Sequence, residues 1–351
     1  MSCLALRHCT YNYQIPHQDI CDTMLKHYHP QRAAAFRPDI DVYRDEHPFN
    51  RALASALFHG MDFAGRTTRS GGGFSVKKAE IRVGLLMCGP GKEIGIVSSA
   101  YDQAAAGINA APRLKLILND LRRDAVECAG RVASETTGDA EIICKKVEGL
   151  WSEICGGVFP LQLQAAVALE YTRCMDFGYK DGLDAAMIRF GVYDIPRIQA
   201  QSAISSIHET LNQGGRLVIG DPVACSAEEQ ASLERIHRIR QEAAGRDIGE
   251  CHIPTIHERA AQMRNAGFGP VGVPYIGESH MPMGDWNGQF GPDADNERII
   301  ARLRETVVHE ARENPGFAKQ ASVRIWKDEN GIMEVGLIQK VAVFTGVRRK
   351  P

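Results

Sequence analysis

The chain has 351 residues, of which 44% are hydrophobic and 24% charged, with a formal net charge of −2. That supports a full core and exceeds what one ordinary domain needs, so one catalytic domain with additions fits best. No basic block is longer than Arg348-Arg349-Lys350, which leaves a nucleic-acid groove without electrostatic support, and no apolar run approaches the roughly 20 residues that span a bilayer.

Residues 1–8 lack a charged start followed by an apolar stretch, so they do not read as a signal peptide. The ten cysteines are scattered with no C-x-x-C pair, a pattern that points to reduced thiols in a cytoplasm and away from a zinc site.

Residues 1–79 carry little regular patterning and are expected to form a helical cap ahead of a sheet. Within them a helix is predicted over 48–58, with Phe49, Leu53, Ala56 and Leu57 at helical spacing. Gly71-Gly72-Gly73 reads as a hinge or open loop.

From Glu80 the pattern becomes strand and helix in alternation. Strands are predicted over 81–88, 114–119, 140–147, 184–190, 216–220 and 271–276. Helices are predicted over 93–109, 121–136, 162–174 and 196–212, the last closing at Gly214-Gly215. Later helices are expected over 227–244, 255–265 and 296–312, after a loop over 277–293. Strand-like runs at 321–326 and 337–347 suit a hairpin about Asp328-Glu329-Asn330-Gly331. Such alternation predicts an α/β fold, a doubly wound and mostly parallel sheet with helices on both faces. The catalytic domain is expected over 80–351, with insertions near 223–250 and 277–335.

The segment Leu85-Leu86-Met87-Cys88-Gly89-Pro90-Gly91-Lys92-Glu93 carries the strongest functional signal. An apolar strand ends in a Gly-Pro-Gly turn and leads into a helix. About thirty residues later a second strand ends at Asn119-Asp120. Glycine admits a ligand close to the backbone, and a carboxylate at the second strand's end suits the hydroxyls of a ribose. Asp120 also suits a helix N-cap.

With these pieces in order, the chain resembles the class I S-adenosylmethionine-dependent methyltransferases. The first motif corresponds to Leu85–Gly91 and the acidic residue to Asp120. The late Leu-x-x-Gly-Gly motif corresponds to Leu211-Asn212-Gln213-Gly214-Gly215, and the Ala-Gly-Phe before the sixth strand to Ala266-Gly267-Phe268. The resemblance covers roughly 80–276 and a last strand near 340–347. It implies a seven-stranded Rossmann-like methyltransferase fold and S-adenosyl-L-methionine as cofactor.

Two departures stand out. Leu85 occupies the place of the family's first-strand acid, and Met87 that of its first glycine. Glu93 is near enough to supply the missing charge; it also suits a first-turn carboxylate favoured by the helix dipole.

Carried over residue by residue, the resemblance implies cofactor contacts at Cys88, Gly89, Pro90, Gly91, Glu93, Asn119 and Asp120. Adenine contacts follow at Glu148, Gly149 and Leu150, and a further contact at Phe190. Arg189 and Tyr193, in the loop after the fourth strand, are the catalytic candidates. An aromatic ring there would attract a sulfonium, while Tyr193 is equally suited to a structural role.

These readings lead to a small-molecule methyltransferase, cytoplasmic, with its acceptor enclosed under the cap. No nucleic acid, membrane or metal is expected, and a homodimer is left open. Two alternatives stay open. One is an enzyme that transfers or cyclises the aminobutyl part of the cofactor and releases methylthioadenosine, as azetidine-2-carboxylate and nicotianamine synthases do. The other is a non-catalytic cofactor-binding scaffold. A dehydrogenase is less suited, because Ile94 stands where the third glycine of a dinucleotide fingerprint belongs.

Overall fold

The computed structural model describes residues 47–61, 63, 67–69, 75–77, 80–88, 91, 93–109, 111–119, 123–136, 140–142, 182–194, 197–243, 251–282, 294–327 and 333–349. The expected helix over 162–174, the tail of the third strand over 143–147 and most of the expected cap lie outside them.

Helix α1 (Pro48–Phe58) forms where the periodicity places it. Pro48 suits the first turn because its missing N–H has no partner to lose there, and the His47 ring nitrogen accepts the Phe49 N–H at 3.1 Å. A short antiparallel ladder follows, β1 (Thr67–Arg69) against β2 (Ser75–Lys77), flanking the glycine run.

The main sheet is built from β3 (Glu80–Leu86), β4 (Arg113–Asn119), β5 (Ala140–Ile142), β6 (Leu183–Arg189), β7 (Leu211–Val223), β8 (Phe268–Pro282) and β10 (Met333–Arg348). Their order is β5-β4-β3-β6-β7-β10-β8, and β9 (Val323–Lys327) pairs with β10 off this path. Pairings from β5 to β7 are parallel, whereas β10 runs antiparallel to β7, β8 and β9. This is the doubly wound, mostly parallel α/β sheet expected from the sequence.

Helices α2 (Glu93–Ala105) and α3 (Arg123–Thr136) follow β3 and β4, and α4 (Arg197–Thr210) follows β6. The central strands are buried along nearly their whole length, as parallel strands covered on both faces must be. Alternate residues divide between two cores. Val83, Leu85, Ala185, Met187, Val341 and Val343 meet α1, α2 and α3. Leu86, Ala186, Ile188, Ala342 and Phe344 meet α4 and α6 (Ile256–Asn265).

Helix α1 therefore lies flat on a sheet face as part of the core. Gly220 makes that possible: a Cβ there would stand 2.6 Å from both Phe49 Cζ and Leu53 Cδ1.

The two expected insertions meet. Helix α5 (Ala227–Ala243), α7 (Ala294–Glu313), α8 (Pro315–Gln320) and the first residues of β10 share a third core that includes Leu233, Ile236, Leu303, Val307, Phe317 and Leu337. Among the described residues no helix is long and apolar enough to cross a membrane.

Two predicted boundaries are corrected. The fifth strand starts at Leu211 rather than 216, so Gly214-Gly215 lies inside β7. The sixth extends to Pro282, where a loop was expected from 277. In both places a neighbour supplies the ladder: β6 pairs with Leu211, and β10 pairs with Gly277 through Pro282.

Candidate active site

Strand β3 has β4 on one side and β6 on the other, so the winding reverses between β3 and β6. In open α/β sheets this point, at the carboxyl ends of the strands, is where ligands bind.

Both strands end in strained turns. Met87 follows β3 at φ 55°, and Phe190 follows β6 at φ 53°. Left-handed backbone in a non-glycine residue costs roughly 1–3 kcal/mol and persists only where its surroundings enforce it. Here Phe190 donates its N–H to the Gly220 carbonyl at 2.7 Å, and Gly191 donates to Asp221 Oδ1 at 3.2 Å. The two turns also interlock, since a Cβ on Gly191 would stand 2.8 Å from Met87 Sδ.

The turn after β3 is close-fitting as well. Cys88 donates to the Asn119 carbonyl at 3.1 Å, and Gly91 donates to Cys88 at 3.0 Å. Gly91 has φ 86°, and a Cβ there would meet the Ala129 backbone of α3 at 2.8 Å. Only glycine suits that combination.

A buried charged cluster sits at this edge. Arg189 donates through Nη1 to Glu93 Oε1 at 2.9 Å and through Nε to Asn50 Oδ1 at 3.2 Å. The side chains of Arg189 and Glu93 are 5% and 10% exposed. The second carboxylate oxygen, Glu93 Oε2, is buried and has no hydrogen-bond partner among the described residues. A line of rings continues from the cluster. The Arg189 guanidinium lies 5.0 Å from the Phe190 centroid, Phe190 stacks on Phe49 at 5.1 Å, and Tyr275 meets Phe49 edge-on at 6.1 Å.

Tyr193 lies in the 3₁₀ turn Val192–Asp194 and is buried beneath α5, edge-on to the His237 ring at 5.2 Å. Its carbonyl accepts the His252 N–H at 3.1 Å, and the His252 ring nitrogen Nδ1 stands 3.0 Å from Glu234 Oε1. The insertion helix is thus tied to the loop after β6.

Burial pulls the His237 imidazole well below its ordinary pKa of 6.5, and nearby Arg240 acts in the same direction. The unfolded chain therefore binds this proton more readily. Its stabilising contribution is complete above pH 6.5 and is lost as pH falls below that value. The melting temperature is expected to fall with pH in that range, and less steeply in His237→Phe. Some slope remains, because desolvation also lowers His208. Identical slopes in the two proteins would exclude His237 as the source.

Of the residues predicted for the site, Glu93, Arg189, Phe190, Cys88, Gly91 and Asn119 converge on this edge. Tyr193 instead packs against α5. Gly89, Pro90, Asp120, Glu148, Gly149 and Leu150 lie outside the described residues. Sequence reasoning missed Asn50, Tyr275, Asp221 and Arg259. Asp221-Pro222 at a strand end was a usable signal. Asn50 and Arg259 gave none, since each is one polar residue on a helix.

No family model and no curated protein matches the chain. Among solved structures it is similar to the YcgJ protein from Bacillus subtilis, at 16% identity over 78% of this chain and 94% of that one, with a TM-score of 0.49. It is similar to BH2331 from Bacillus halodurans C-125 at 13% identity, with the same coverage and TM-score. Geranyl diphosphate methyltransferase, solved with geranyl diphosphate and sinefungin, is similar at 11% identity over 85% of this chain and 77% of that one, with a TM-score of 0.40. All three scores lie below 0.5, and the fold assignment stands on this chain's own strand order.

Proposed function

We propose that this protein is an S-adenosylmethionine-dependent methyltransferase acting on a small molecule, with the cofactor lying across the carboxyl ends of β3 and β4. The observation that carries this reading is the open oxygen of Glu93, buried beside Arg189 at the switch point of the sheet. A buried carboxylate oxygen without a donor is costly, and a ligand ammonium would satisfy it. The residues fit an α-amino acid end: Glu93 would receive the ammonium, and Arg189 offers a cation beside it for the carboxylate. Glu93 thus replaces the acid that Leu85 lacks.

The cofactor, when bound, supplies a methyl group already activated on a sulfonium. The chain's own part is alignment and exclusion of water. The Cys88–Gly91 turn, including Gly89 and Pro90, would admit the ligand to the backbone. Asn119 and Asp120 would hold the sugar, Asp120 through its hydroxyls, and Glu148, Gly149 and Leu150 would flank the adenine. Phe190, stacked on Phe49 with the Arg189 guanidinium over its ring, would wall the site beside the cofactor. Arg189, oriented by Glu93 and Asn50 and always protonated, serves to hold rather than to move a proton. The acceptor would be enclosed by the α5 lobe over the β6 loop.

Calorimetry with S-adenosylhomocysteine tests the reading. The wild type is expected to bind, and Asp120→Ala to lose binding while keeping its melting temperature. Unchanged affinity in that variant would sink the assignment. Incubation with S-adenosylmethionine alone separates the chemistries, since release of methylthioadenosine without any acceptor would replace methyl transfer with aminobutyl chemistry.

A further inference from the structure

Asp221 and Arg259 form an ion pair that plays no part in the reading above. Both side chains are essentially fully buried, and Arg259 Nη2 donates to Asp221 Oδ2 at 2.9 Å. Asp221 lies on β7, next to Gly220. Arg259 lies on α6, a helix whose start is fixed by a capping box between Thr255 and Glu258. The other arm of the guanidinium is taken by Gln262 Oε1 at 2.7 Å.

Burying two charges is a poor way to gain stability, because desolvation offsets most of their attraction. Burial indeed draws the Arg259 pKa below its ordinary value, against the pull of Asp221. The Arg259 Nε is also buried without a hydrogen-bond partner among the described residues. An apolar pair of similar volume would fill this space at less cost. What an apolar pair lacks is an aimed acceptor.

Asp221 aims one. With Oδ2 held by Arg259, its Oδ1 accepts the Gly191 N–H at 3.2 Å. Gly191 directly follows Phe190, the left-handed residue at the tip of β6, and abuts Met87, the left-handed residue at the tip of β3. The main-chain bond from Phe190 to Gly220 fixes one end of this turn, and the carboxylate fixes the next amide.

We infer that Arg259 and Asp221 are positioning residues for the cofactor site. Arg259 orients the Asp221 carboxylate, which holds Gly191 and so keeps the Phe190 and Met87 turns in their strained conformations. Neither residue is among the proposed cofactor contacts. This rests on the proposed cofactor reading for its effect on binding, while the fixing of the turn stands apart from it.

Two matched double variants separate the hydrogen bond from the charge. Asp221→Asn with Arg259→Met removes both charges and keeps an amide oxygen for Gly191. Asp221→Leu with Arg259→Met removes the charges and the acceptor. Single variants leave a lone buried charge and are not needed. Hydrogen–deuterium exchange of peptides covering 189–194 is read first, without ligand. The asparagine pair is expected to keep wild-type protection, and the leucine pair to exchange about tenfold faster there, in line with one lost hydrogen bond. S-adenosylhomocysteine affinity is read second and is expected to fall about tenfold in the leucine pair alone. Equal exchange in the two doubles would overturn the inference, and so would equal affinity. Absence of binding in the wild type would count against the cofactor reading and leave the exchange result to decide the turn.

Discussion

Replacing Glu93 by glutamine is expected to weaken S-adenosylhomocysteine binding by about ten- to a hundredfold. The glutamine oxygen can still accept from Arg189, but an NH₂ then occupies the place of the open Oε2. A ligand ammonium would meet a donor instead of an acceptor. A charge-assisted hydrogen bond contributes roughly 1.5–3 kcal/mol, and two factors of ten correspond to about 2.7 kcal/mol. The same substitution strands the Arg189 charge in a buried setting, so stability should drop by about 3–5 kcal/mol as well. The two effects come apart in Glu93→Gln with Arg189→Met. A neutral pair should recover most of the stability, since replacing a buried ion pair is often near neutral. It should not recover the binding. Calorimetry beside urea denaturation reads both, and a Glu93→Gln protein that binds S-adenosylhomocysteine as the wild type does would remove the observation on which the proposed function stands.

Phe49→Ala is expected to cost about 3–5 kcal/mol, the usual range for emptying a buried aromatic site. Phe49 is fully buried, stacked on Phe190, edge-on to Tyr275, and seated over Gly220 on the sheet. Little can move in to fill the space, because Gly220 has no side chain and Phe190 is held by its main-chain bond. Total stabilities of order 5–15 kcal/mol make this a large fraction. The consequence reaches the proposed site, because Asn50, the partner of Arg189, is the next residue on α1. Urea unfolding should show a midpoint well below the wild type's. A loss under about 1.5 kcal/mol would mean that α1 is not the core layer its burial describes.

The periodic parts of the fold were legible because their signals are local. Phe49, Leu53, Ala56 and Leu57 specify a helix over 48–58, and α1 has those ends. The apolar runs near 81–88 and 114–119 specify buried strands, and Gly91 at φ 86° marks the turn the motif requires. The misplaced ends of β7 and β8 fail for the converse reason. Ladder hydrogen bonds from β6 and β10 extend them over glycines and prolines that local propensity reads as stops.

Composition and order in the chain alone determined an α/β protein with a glycine turn after the first main-sheet strand, a glutamate beginning the next helix and an arginine ending a later strand. They could not determine that Glu93 and Arg189 meet at 2.9 Å, that Asn50 joins them, or that Asp221 and Arg259 pair beneath Gly191. Those partners stand 96, 139 and 38 residues apart, far beyond the reach of any local pattern. Winding of the sheet brings the strand tips together, and the helices packed on it seal their charges from water. Burial then decides whether a carboxylate is a surface residue or a binding group.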